Sequence, residues 1–195
     1  MSGAAELAAL LDEVRGCRLC APHLPHPPRP VLRAEAGARI LIVGQAPGRR
    51  VHESGIPWND PSGDRLRGWL ELDRETFYDA RRIAIVPTGF CYPGTVGGAD
   101  LPPRPECAPL WHPRLMRHLP RLELRILVGR YAQAYALGRH CRGSVGETVA
   151  AWREFAPAVF PTPHPSWRVT NWLKRNPRFE TEVLPALRAR LRALL

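Results

Sequence analysis

The sequence predicts an α/β fold: a three-layer α/β/α sandwich around a central, mostly parallel sheet of about four strands. Two observations carry this expectation. Short, largely apolar runs recur at residues 39–43 (RILIV), 83–86 (IAIV) and Leu124–Val128 (LRILV), with a weaker fourth run at 158–160. Helical periodicity fills the intervals between them. Continuous apolar strands separated by helices indicate a parallel sheet covered on both faces.

The elements follow in order. Residues 4–14 form a periodic apolar stretch that reads as a helix, ended by Gly16. Residues 21–30 hold five prolines and two histidines. They read as a stiff surface connection, because proline continues neither a helix nor a sheet ladder, and His23 and His26 read as solvated. The first strand stops at Gly44. Further helices are expected at 63–72, 109–119, Arg130–Leu137, 147–155 and 179–194. No internal repeat and no linker interrupts the chain, so 1–195 reads as one domain, a size suited to a single core.

Composition narrows the class. Apolar residues make up 45% of the chain, enough for a packed core. No stretch approaches the roughly 20 apolar residues of a membrane span, and residues 1–11 lack the basic start of a secretory signal. The expectation is a cytoplasmic protein. The formal charge is +10, and Lys174 is the only lysine among the cations. Such an excess favours a polyanionic partner, whose phosphates release counterions when neutralised. Five cysteines in a cytoplasmic chain do not read as disulfides. Four of them form a pattern: Cys17 and Cys20 as C-x2-C, then Cys91 and Cys107 as C-x15-C, with Cys141 apart. Four thiolates suit zinc as well as iron.

In a sheet of this kind ligands sit outside the carboxyl ends of the strands. The loops expected to converge there are 44–48 (GQAPG), 87–94 (PTGFCYPG), 129–133 (GRYAQ) and 161–166 (PTPHPS). The first is rich in small residues, so its amides approach a ligand closely. No Lys-Ser/Thr follows it, which excludes a Walker loop. Residues 55–63 (GIPWNDPSG) set Trp58, Asn59 and Asp60 between two prolines. An extruded base needs a flat surface and a hydrolytic step needs a carboxylate to orient water. Equally, Asp60 or Ser62 suits a helix cap and Trp58 suits the core. His164-Pro-Ser166 precedes a segment dense in cations and aromatics, as a groove-binding or wedge-inserting loop requires.

This combination resembles the uracil-DNA glycosylase superfamily, and within it the iron–sulfur branches known as families 4 and 5. The resemblance spans Cys17 to the last helix. GQAPG resembles the first motif of the superfamily and HPS the second. GIPWNDPSG resembles the loop whose aromatic stacks on the base, and residues 127–138 are similar to the third strand and helix. The cysteine spacing is similar to that which holds a [4Fe–4S] cluster.

The resemblance implies a monomeric DNA-repair enzyme that hydrolyses the N-glycosidic bond of uracil and leaves an abasic site. It implies catalytic roles for Asp60, as the water-orienting carboxylate, and for His164, as the donor to the leaving base. Gly44, Gln45, Ala46, Trp58 and Asn59 would contact the base. Ser166, Arg168, Lys174 and Arg175 would contact DNA, and Cys17, Cys20, Cys91 and Cys107 would hold the cluster. The chain departs from the pattern at four places. Ala46 stands where one branch carries a water-activating aspartate, and Gln45 where family 4 carries glutamate. Val86-Pro87-Thr88-Gly89 lacks family 4's base-reading asparagine. Gly48 replaces a tyrosine that blocks the thymine methyl in another branch. A binding protein with little turnover and, more distantly, an iron–sulfur redox protein are the alternative readings.

Overall fold

The computed structural model describes residues 3–195; Met1 and Ser2 of the expected 1–195 domain lie outside the described residues. In chain order the elements are α1 (Gly3–Arg15), β1 (Ile40–Val43), α2 (Arg49–Ser54), α3 (Pro61–Leu70), α4 (Arg74–Tyr78) and β2 (Ile83–Ile85). A small hairpin follows, β3 (Thr95–Val96) and β4 (Ala99–Asp100). The rest are α5 (Cys107–Arg117), β5 (Leu124–Val128), α6 (Arg130–Leu137), α7 (Val145–Ala150), β6 (Val159–Thr162), α8 (Val169–Arg175) and α9 (Leu184–Arg192).

The main sheet has the order β2-β1-β5-β6, and every pairing in it is parallel. Side chains of successive strand residues leave on opposite faces, and each face has its own core. Ile40, Ile42, Ile83, Ile85, Ile126 and Phe160 pack with Leu66 and Trp69 of α3, Phe77 of α4 and Leu187 of α9. Leu41, Val43, Ala84 and Leu127 pack on the other side with Leu10 and Val14 of α1 and Trp111 and Leu115 of α5. That is the expected three-layer α/β/α sandwich. No helix among the described residues is long and apolar enough to cross a membrane.

The four apolar runs are the four strands. The fourth extends to Thr162 through Pro161, which an edge strand tolerates because one row of its amides has no sheet partner. Helix α3 starts at Pro61, two residues earlier than expected: Asp60 caps it, and a first-turn proline forfeits only an amide that has no helical partner. The expected helix at 179–194 is two pieces. Residues Phe179–Val183 form a π turn, and α9 begins beside Pro185, which has no N–H to continue the ladder. Helices α2 and α4 are six and five residues long, too short for periodicity to reveal. Helix α8 replaces what read as a loop; Val169 turns inward while Lys174 and Arg175 stay exposed. The hairpin closes through Gly97 and Gly98, both at positive φ (58° and 73°), the backbone that a two-residue type I′ turn demands.

Candidate active site and cysteine cavity

A cleft of about 410 Å³ opens at the carboxyl ends of β1, β2 and β6. Gly44 to Gly48 floor it, Pro57, Trp58, Asp60 and Ser62 line it from the loop before α3, and His164, Ser166, Trp167 and Arg168 line it from beyond β6. Pro87 reaches it after β2, and Gly98, Ala99 and Asp100 border it from the hairpin. Gly44, Gln45, Ala46, Trp58, Asp60, His164, Ser166 and Arg168, drawn from widely separated parts of the sequence, thus share one cavity. Of the four loops expected there, 129–133 supplies no lining side chain. It works from behind: Gly129 lies under His164, where a Cβ would approach the histidine's Cβ to 3.2 Å. Gln133 donates its amide hydrogen to the Thr162 carbonyl at 2.9 Å.

The loop that carries Trp58 is tightly held. Trp58 has a left-handed backbone (φ 56°), a conformation that costs a non-glycine residue on the order of 1 kcal/mol or more and persists only under outside constraint. That constraint is visible. Buried Arg67 donates to the Trp58 carbonyl at 3.2 Å, and the Tyr78 hydroxyl donates to the Pro57 carbonyl at 2.8 Å. A Cβ on Gly63 would lie 1.7 Å from the Trp58 carbonyl oxygen, and one on Gly44 would lie 2.8 Å from the Trp58 ring. Both glycines are therefore required by the loop's seat. The indole lies tilted against the His164 imidazole, with ring centroids 5.7 Å apart.

Asp60 faces the cleft and also caps α3, its Oδ1 accepting the Gly63 N–H at 2.7 Å. The capping reading and the cleft reading are both realised in one side chain. Asp64 turns instead to an ion pair with Arg67. Burial pushes the His164 imidazole below its ordinary pKa, an effect partly offset by the Asp60 and Asp100 carboxylates. The ring is therefore held neutral at pH 7, able to donate one hydrogen bond.

Three of the expected site residues, one for the base and two for DNA, do not line the cleft. Asn59 accepts a hydrogen bond from Arg74 at 3.3 Å and does not line the cavity. Lys174 and Arg175 lie exposed in the last turn of α8, away from the cavity walls. Thr88, near the site of the absent asparagine, spends its hydroxyl on the Gln45 carbonyl at 2.7 Å. It steadies the GQAPG loop and does not line the cleft. Residues that sequence reasoning missed are Asp100, whose hairpin is signalled by the Gly97-Gly98 turn pair, and Arg65. Arg65 donates to the Ser166 carbonyl at 2.6 Å and so anchors the HPS loop.

A second, smaller cavity of about 20 Å³ is lined by Cys17, Cys20, Cys91 and Cys107 together, with Pro28, Pro30, Arg104 and Trp111. All five cysteines are free thiols, and Cys141 is absent from this lining. Burial pushes Cys107 up to about 12 and Cys91 up to about 11, and the neighbouring thiols push the same way. No group of three or more His, Cys, Asp or Glu side chains among the described residues stands in ligating geometry. Convergence on one cavity is nonetheless a property of these four cysteines and no others. The donor set, four free thiols of which Cys107 is buried and Cys17, Cys20 and Cys91 half-buried, fits a thiolate-bound metal or cluster.

Compared with known families, the chain matches the model of the uracil DNA glycosylase superfamily over residues 33–188.

Proposed function

Because the chain belongs to the uracil DNA glycosylase superfamily, whose proteins act on DNA, we propose that it is a monofunctional DNA glycosylase. It hydrolyses the N-glycosidic bond of uracil in DNA, as a cytoplasmic, single-domain monomer, and leaves an abasic site. One observation carries the reading. Trp58, Asp60, His164 and the GQAPG backbone line a single cleft at the strand ends.

The damaged nucleotide rotates out of the duplex at a cost of roughly a few kcal/mol. Its base enters the cleft beside the Trp58 indole, with the amides of Gln45 and Ala46 facing its O2. As the C1′–N bond breaks, the electron pair stays on the base and positive charge develops on the sugar. Neutral His164 donates a hydrogen bond to the departing anion, an oxyanion-type stabilisation. Asp60 uses the oxygen not engaged by Gly63 to orient water and accept its proton while the water oxygen bonds to C1′. Arg168, beside exposed Trp167 at the cleft rim, fills the gap left in the base stack, and Ser166, Lys174 and Arg175 contact phosphates. No lysine nucleophile is needed.

In this reading Cys17, Cys20, Cys91 and Cys107 would hold a [4Fe–4S] cluster, and these four ligands would thereby tie the segment after α1 to the loop after β2 and to the start of α5, a structural role. Bond cleavage takes place in the other cavity.

The second reading, a binding protein with little turnover, draws on Ala46, a methyl at the cleft where one branch has a carboxylate. Incubation with uracil-, hypoxanthine- and xanthine-containing oligonucleotides, then alkaline cleavage, tests both. Multiple turnovers on uracil support the enzyme. Retention of DNA without strand breaks after alkali supports the binding protein and refutes the glycosylase.

A further inference from the structure

The cleft contains a second carboxylate. Asp100 ends β4, and its Oδ1 accepts a hydrogen bond from the Thr95 hydroxyl at 2.9 Å, across the hairpin register that pairs these two residues. Thr95 is in turn within 2.5 Å of the Tyr92 hydroxyl, so a chain of hydroxyls aims the carboxylate. The other oxygen, Oδ2, lies against Gly48. A Cβ on Gly48 would come within 3.2 Å of it, so any larger residue there crowds the carboxylate. Asp100 borders the same cavity as Asp60 and His164. Neither carboxylate is among the ion pairs formed by the described residues, although the chain carries 28 Lys and Arg. Other acids do pair: Glu53 with Arg49, Asp64 with Arg67 and Glu106 with Arg104.

An unpaired carboxylate is a cost to a protein that must hold phosphates. Two in one cleft are explained if the reaction passes through a cation. Asp60 gives one oxygen to the α3 cap and so has a single oxygen for water.

We propose that Asp100 is a second carboxylate of the reaction, its charge offsetting the positive charge on the sugar while Asp60 takes the proton from water. This rests on the glycosylase reading and deepens it. The Asp100 proton balance is zero throughout. Water adds its oxygen to C1′, its proton goes to Asp60, and the base leaves with the bonding pair.

The test is single-turnover excision by Asp100→Asn on a uracil-containing oligonucleotide, with affinity for abasic DNA and the NMR titration of His164 measured on the same protein. The rate should fall about tenfold or more, less than for a buried donor because Asp100 is exposed and solvent screens it. Affinity for abasic DNA should hold or tighten, since a negative charge is lost. The His164 pKa should move further down, because a carboxylate that favours the imidazolium is gone. Thr95→Val, which frees Asp100 and keeps its charge, should show a smaller rate loss. Wild-type excision by Asp100→Asn, or an unmoved His164 titration, overturns the assignment. The two possible failures are distinct. A wild-type chain that excises nothing overturns the glycosylase reading, whereas active wild type with equally active Asp100→Asn overturns only the role of Asp100.

Discussion

Replacing Asp60 in two ways separates its structural and chemical roles. Its Oδ1 accepts the Gly63 N–H at 2.7 Å and caps α3. Asparagine caps a helix about as well as aspartate, whereas alanine removes the acceptor at a cost of roughly 0.5–2 kcal/mol. For a chain of this size each kcal/mol shifts Tm by about 2–4 °C. Asp60→Ala should thus melt roughly 1–8 °C below wild type, and Asp60→Asn should melt close to it. The chemistry should not follow that order. Both variants lack the charge and the proton acceptor, so both should lose about 10²–10⁴ in single-turnover uracil excision. At about 1.36 kcal/mol per tenfold, that is roughly 2.7–5.4 kcal/mol of transition-state stabilisation. Calorimetry gives the first quantity and quenched excision under enzyme excess gives the second. Binding to abasic DNA should survive in both. An Asp60→Asn protein that excises uracil at near wild-type rate refutes the argument and leaves Asp60 as a cap alone.

Other expectations follow from the same geometry. Protein purified without oxygen should be brown and carry about four irons per chain; Cys107→Ser should lower metal content and solubility, Cys141→Ser should change neither, and colourless protein with one zinc would sink the cluster. Burial lowers the pKa of both His112, whose Nε2 lies 2.8 Å from the Pro87 carbonyl, and His164. Below the unfolded value of about 6.5 the unfolded chain therefore binds protons that the folded chain does not. Stability should be complete above that pH and fall as pH drops toward the depressed folded values, by at most about 1.4 kcal/mol per pH unit for each histidine. His112→Gln should flatten this dependence in urea melts at pH 5.0–7.5, and an unchanged slope would show that His112 protonates freely when folded. DNA affinity should fall with salt at a log–log slope of roughly −4 to −5 if about five phosphates are contacted. Arg168→Ala should weaken binding to abasic DNA more than to intact duplex, and equal losses would reduce Arg168 to a phosphate contact.

The sheet was legible because its signal is local. Residues Ile40–Val43 are buried on both faces and read as an unbroken apolar run, Leu124–Val128 is buried except at exposed Arg125, and each strand stops within two residues of a glycine or proline. Short helices were not legible, since α2 and α4 hold barely more than one turn each, and α8 was masked by the cations that its exposed face carries.

The candidate site divides along the same line. Motif residues at strand ends, Gly44 to Ala46 and His164, are placed by strand position alone, so their meeting in one cleft was foreseeable from a parallel sheet. Chain order by itself determined which residues carry reactive groups and that Cys17, Cys20, Cys91 and Cys107 form a set. Only the tertiary structure decided that Asn59 turns to Arg74 and away from the cleft. It alone decided that Asp60 both caps a helix and faces the cavity, and that Asp100 arrives from a hairpin far along the chain. The physical reason is that a side chain's direction depends on partners distant in sequence: Arg74 and Gly63 for the first two, Thr95 and the open face of Gly48 for the third. No local pattern records those partners.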